Sequence, residues 1–232
     1  MLIALFLLAG LLTIVQSMRN TFSAQSNLAQ LEDNERLAMI MMTNVIQAAG
    51  YFPNPTTNTA DTALPAVGLF LQGQAITGTY GGGAAPGDTI SVRFQMPGNQ
   101  TVANAALMNC IGGTNTTAAS HTYTNEFGVD GDGNLDCTLS VDGVAQAPVE
   151  LISGVQNLQI WYGVKTNPAV SDNNVDTYIT AQNMTPTDWA NVTAVKIRLT
   201  FNNPLAASNP AQPTTNYIEC VVGVMANTGL TT

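Results

Sequence analysis

The sequence predicts an α+β protein: one long N-terminal helix packed on a mainly antiparallel β-sheet head. Three observations predict it. Residues 1–49 contain no proline and one glycine, Gly10. From residue 67 onward, short apolar runs alternate with period two and are separated by turn residues. Between them lies PNPTTNTADTALP, a polar Pro/Thr/Asn stretch of the kind that breaks regular structure. The expected division is therefore a helix over 1–50, a linker or loop over 51–66 and a β-rich head over 67–232.

The helix is expected to have two characters. Residues 1–15 read MLIALFLLAGLLTIV, and no charge precedes Arg19. That run is slightly short of the ~20 apolar residues of a membrane-spanning helix. It also lacks the basic start and small-residue cleavage site of a secretory signal. From Gln16 to Gly50 the pattern is amphipathic. Leu31, Ala38, Met42, Val45 and Ala49 fall close to one line, flanked by Leu28 and Ile46. Glu32 and Arg36, four apart, suit a helical ion pair. Gly50 and then Pro53 mark the stop. A helix that is apolar on every face needs a bilayer or a bundle of equivalent helices around it.

The head strands are expected at 67–71, 89–96, 137–141 and 148–152. Alternation adds 158–164, 195–201 and 218–224. The loops YGGGAAPG and SNPAQPTTN punctuate them, and a short helical turn is expected over 184–189.

Composition narrows the function. Only 9% of residues are charged, with 6 Lys/Arg against 15 Asp/Glu and a net charge of -9. The 29 Thr and 23 Asn outnumber the charges more than two to one, so the surface is neutral and polar. Such an acidic chain, its six cations scattered, does not suit phosphate neutralisation, which excludes nucleic acid as a partner. A hydrophobic content of 45% argues against disorder. One continuous apolar stretch excludes a polytopic membrane protein.

Five passages resemble PilW-type minor pilins, members of the type IV pilin-like family. LEDNERLA at 31–38 followed by QAAGYF at 47–52 is similar to the helix end of those proteins. NEFGVD at 125–130 running to LDC at 135–137 resembles their hairpin, and NCIG at 109–112 their upstream cysteine site. GVQNLQIWYG at 154–163 and AVKIRL at 194–199, preceded by Trp189 and Val192, are similar to two consecutive strands. The resemblance spans most of the chain in order. It implies a type IV pilin-like fold and a structural, non-enzymatic subunit that helps prime pilus assembly and forms a tip complex presenting an adhesin. Implied partners are other pilin and minor pilin subunits, met through the N-terminal helix, and the tip adhesin. Implied locations are the inner membrane before assembly and the extracellular pilus afterwards. Leu5, Leu8, Leu11 and Leu12 are expected to pack on neighbouring helices, and Leu31, Ala38, Met42 and Val45 on the chain's own head. The basic leader and early glutamate of such proteins have no counterpart, so Met1 is expected to fall inside the apolar helix of a sequence that begins late.

The resemblance also pairs Cys110 with Cys137, leaving Cys220 as a small core residue. Asp130, Asp132, Asn134 and Asp136 alternate in VDGDGNLDC and admit two readings. One is a calcium loop of hard oxygen ligands. The other is a Gly/Asp hairpin tip, because Leu135 and Val141 replace the Gly and Glu of an EF-hand loop. No other cofactor is expected. Catalytic motifs are missing, and His121 is the single histidine. The acid pairs Glu126/Asp130 and Asp172/Asp176 read as solvated carboxylates, and Tyr80, Tyr123 and Tyr178 as exposed aromatics. The competing functions are a membrane-anchored extracellular binding module with a calcium loop, the main subunit of a pilin-like filament, and a type II secretion pseudopilin.

Overall fold

The computed structural model describes residues 2–103, 105, 107–167, 174–203 and 215–224, with the side chains of 2–9 and 216 outside that description. Asp172 and residues 208–214 of the SNPAQPTTN loop fall outside it as well.

Helix α1 spans Leu2–Gln47. It ends as predicted: Gly50 takes φ +76°, a left-handed conformation that glycine adopts without strain, and donates its N–H to Arg93 O. Leu31, Ala38, Met42, Val45 and Ala49 are all buried, so the amphipathic stripe is the face that meets the head. Ile46 is buried beside them, whereas Leu28 lies outside the core. The predicted Glu32–Arg36 pair is not formed, and both side chains stay in solvent.

The segment after the helix is more ordered than its composition implies. Thr59 caps a four-residue helix α2, Ala60–Ala63, through a reciprocal bond with Thr62. Phe52, Ala63 and Leu64 form a small apolar cluster of their own. The expected strand at 67–71 is a correction. Only an isolated Val67–Phe70 bridge forms there, because the backbone turns to aim carbonyls at Arg93.

Two antiparallel sheets follow, where one was expected. The first contains β1 (Ile76–Thr79), β2 (Thr89–Met96), β3 (His121–Val129), β4 (Asn134–Val141) and β5 (Val144–Ala145) in that order. Strand β6 (Val149–Ser153) also pairs with β4. The second contains β7 (Val155–Val164), β8 (Thr177–Ile179), β9 (Val192–Asn202) and β10 (Thr215–Gly223), ordered β10-β9-β7-β8. Between β8 and β9, the helical turn expected at 184–189 is α3, Pro186–Ala190, capped by Thr185. The inward residues of both sheets and the helix stripe merge into one core, with Phe94, Phe127, Leu158, Tyr162, Ile197 and Phe201 at its centre.

The Gly-rich loop before β2 joins the sheets. Its Gly87–Asp88 backbone lies along β7: Asp88 N–H donates to Leu158 O at 2.7 Å, and Leu158 N–H donates to Pro86 O at 3.2 Å. The buried Asp88 carboxylate accepts from Gly81 N–H and Ile160 N–H, both at 2.8 Å. A Cβ at Gly87 would lie 2.1 Å from Leu158 O, so this close approach requires glycine.

Candidate functional site

The first candidate surface is the free part of α1. Side chains from residue 10 to residue 30 are nearly all exposed, including Leu11 (62%), Met18 (69%) and Phe22 (75%). Leu12 is exposed with them, while the side chains of Leu5 and Leu8 lie outside the described residues. The expectation that the apolar helix lies in a membrane before assembly, as a transmembrane helix, receives no support: among the described residues no helix is long and apolar enough to cross a membrane. Beyond Val15 the helix carries Gln16, Ser17, Arg19 and Asn20, which dilute its apolar character.

The second candidate is the β3–β4 hairpin. Asp130 closes its turn: one carboxylate oxygen accepts from Asp132 N–H at 2.9 Å and Asn134 N–H at 2.7 Å. The other accepts from Asn134 Nδ2 at 2.9 Å. Hydrogen bonds from Asn134, first from its backbone and then from its side chain, hold the Asp130 carboxyl below the usual carboxylate range. Asp136 sits on β4 opposite Glu150. Partial burial, and then Asp130 and Glu150, push its carboxyl upward. Asp132 is exposed at the tip. The four residues proposed as calcium ligands thus have different surroundings. Among the described residues, no group of three or more His, Cys, Asp and Glu is placed to hold a metal ion.

Cys110 and Cys137 form a disulfide with Cα atoms 6.2 Å apart. It ties the 97–120 connection to the centre of β4, where Cys110 N–H also donates to the buried Asn125 Oδ1 at 2.8 Å. Cys220 is a free thiol, half-buried against the core.

The remaining predicted polar residues have structural partners. His121 Nδ1 is bonded to Asp142. Glu126 accepts from Ser91 Oγ at 2.8 Å. Asp176 accepts from Thr166 N–H and Asn167 N–H, while Asp172, its expected partner, lies outside the described residues. Tyr80 and Tyr178 are exposed, but Tyr123 is a correction: it lies on the inward phase of β3 and is buried.

Sequence reasoning missed a third surface, the outward face of the four-stranded sheet. Trp161 of β7, Lys196 and Arg198 of β9, and Tyr217, Glu219 and Val221 of β10 share it through the register Trp161↔Lys196, Val221↔Lys196 and Glu219↔Arg198. Glu219 accepts from Lys196 Nζ at 2.8 Å and Arg198 Nη2 at 2.7 Å. Those two cations hold its carboxyl below the usual range. Each also lies 5.4 Å from the Trp161 ring centre, and Arg198 lies 5.1 Å from that of Tyr217. The alternation that marked the inward residues of these strands also puts the residues between them outward, which was the available signal.

A sequence model of the PilW family, described as type IV pilus-assembly protein W, matches residues 115–227. Over that segment, a little under half of the chain, the protein is similar to the PilW family. The match takes in the β3–β4 hairpin, the second cysteine and strands β7 to β10 of this PilW-type chain. The match supports a role in type IV pilus assembly, which implies other pilus components as partners and a place in the pilus or cell envelope. PilW is a pilus-assembly family and not a known enzyme family. No curated protein matches the chain.

Proposed function

We propose that this PilW-type chain is a minor pilin that helps prime pilus assembly and contributes to a tip complex presenting an adhesin. One observation carries the reading: the head closes its core over the second half of α1 and leaves residues 10–30, before it, nearly all exposed. Leu31 is the first residue of the core along the chain. Before it, Leu11, Leu12, Ile14, Val15, Met18 and Phe22 are between 47% and 75% exposed. Apolar area of this extent is stable only when neighbouring helices or lipid cover it. The same segment, with residues 1–9 before it, would hold the subunit at the inner membrane before assembly and exchange lipid for protein as the subunit joins the pilus. The neutral Asn/Thr surface of the head suits display outside the cell.

A charge in that segment tests the proposal. Leu11→Glu is expected to abolish incorporation into pili while leaving the head folded, as read by immunoblot of sheared pili and by circular dichroism. Normal piliation in cells carrying the variant would overturn it.

A further inference from the structure

The outward face of the four-stranded sheet departs from the chain's own surface chemistry. Elsewhere Asn and Thr provide the polar surface; here a Trp, a Tyr and two of the six Lys/Arg converge on three adjacent strands. The array is organised in advance, because Glu219 ties Lys196 to Arg198 and both cations face the Trp161 ring. Fixed side chains lose little freedom when a partner arrives, and Trp, Tyr and Arg are the residues that most often anchor interfaces. Strand β10 is also an edge. It pairs with β9 over nine residues without a register shift, and contains no Lys or Pro to discourage a partner. Tyr217 is 67% and Val221 55% exposed there.

Charge selects the occupant. Lys196 and Arg198 face a single carboxylate, so the face keeps one positive charge (2 − 1 = +1) in a chain of net -9. An acidic partner complements it. The chain carries such a group itself. Asp132 stands exposed on the β3–β4 turn between Gly131 and Gly133, and its carboxylate has no hydrogen bond or ion pair among the described residues. A Cβ at Gly131 would meet nothing within 4 Å, so the tip is narrow and open.

We propose that this sheet face is a docking surface for a second copy of the chain, whose Asp132 hairpin tip delivers its carboxylate to Lys196 and Arg198. The contact joins unlike patches, so it links heads in a head-to-tail sense. It rests on the assembly reading for its setting alone. Cross-linking of purified chain tests the contact and piliation tests that reading, so each can fail without the other.

The experiment mixes full-length copies carrying G131C with copies carrying V221C, both with C220S, in detergent solution under mild oxidation. A mixed disulfide is expected, well above that obtained when Y178C replaces V221C. K196E/R198E in the V221C copy is expected to lower the yield by about tenfold, the scale of losing one close charge pair. D132K in the G131C copy is expected to restore it. The milder K196Q/R198Q pair, checked by circular dichroism, covers failure of the reversed sheet to fold. A yield no higher than the Y178C control, or a loss that D132K does not recover, would overturn the proposal.

Discussion

Arg93 is the residue on which the 51–75 segment depends. It is fully buried, and among the described residues no carboxylate pairs with it. Instead Nε donates to Gln74 O, Nη1 to Pro65 O, and Nη2 to Leu64 O and Leu71 O, with the guanidinium 4.6 Å over the Phe70 ring. Burial draws its pKa down to about 10, which still leaves a cation at neutral pH. Four carbonyls thus stand in for a counter-ion, in a fork only arginine offers. Arg93→Met is expected to cost about 3–5 kcal/mol, because it strands those acceptors in the core. Arg93→Lys should recover only part of this, since an ammonium cannot span all four. Urea denaturation followed by near-UV circular dichroism checks both. From the sequence Arg93 is one cation within an apolar strand, and nothing local announces that a loop some twenty residues earlier encloses it.

At the scale of elements, the helix stop behaves as its local sequence implies and the disulfide as the family resemblance implies, whereas the partition into two sheets follows from neither. Cys110–Cys137 closes a loop with a sequence separation of 27 around β3. Removing it in C110S/C137S is expected to cost about 3–4 kcal/mol on the chain-entropy account. The loss is read as a lower denaturation midpoint, matched by adding reductant to the unaltered chain. Strands β7 and β9 are legible as alternation because one face is buried and the other wet. Strand β3 is harder to find: HTYTNEFGV mixes polar residues into both faces. Its inward polar residue, Asn125, is satisfied by Cys110 N–H and Val92 O, partners distant in sequence. The Val67–Leu71 run failed for the opposite reason: its apolar residues suit a strand, but Val67 and Phe70 bond to each other and Leu71 O accepts from Arg93.

For the whole molecule, the decisive fact is that the core is complete without the first half of α1. Burial along the helix begins at Leu31, and from there the stripe joins both sheets in one cluster. A chain lacking residues 1–27 is therefore expected to keep its denaturation midpoint, with stability changed by less than about 1 kcal/mol, because exposed residues contribute little. It should also lose the need for detergent, as read by size-exclusion chromatography. Loss of cooperative unfolding in the truncated chain would show that the free segment belongs to the fold.

The sequence by itself determined the long helix, its two characters, its stop at Gly50 and the faces of the central strands. These follow from local periodicity and from what glycine and proline permit. Tertiary structure decided what lies far apart along the chain: the carbonyl cage around Arg93, the Gly87–Asp88 bridge between the sheets, and the array linking Trp161, Lys196, Arg198 and Tyr217. Each of these depends on strand order and register, which bring together groups separated by tens of residues. A periodic pattern records which face of a strand is buried, but not which strand lies beside it.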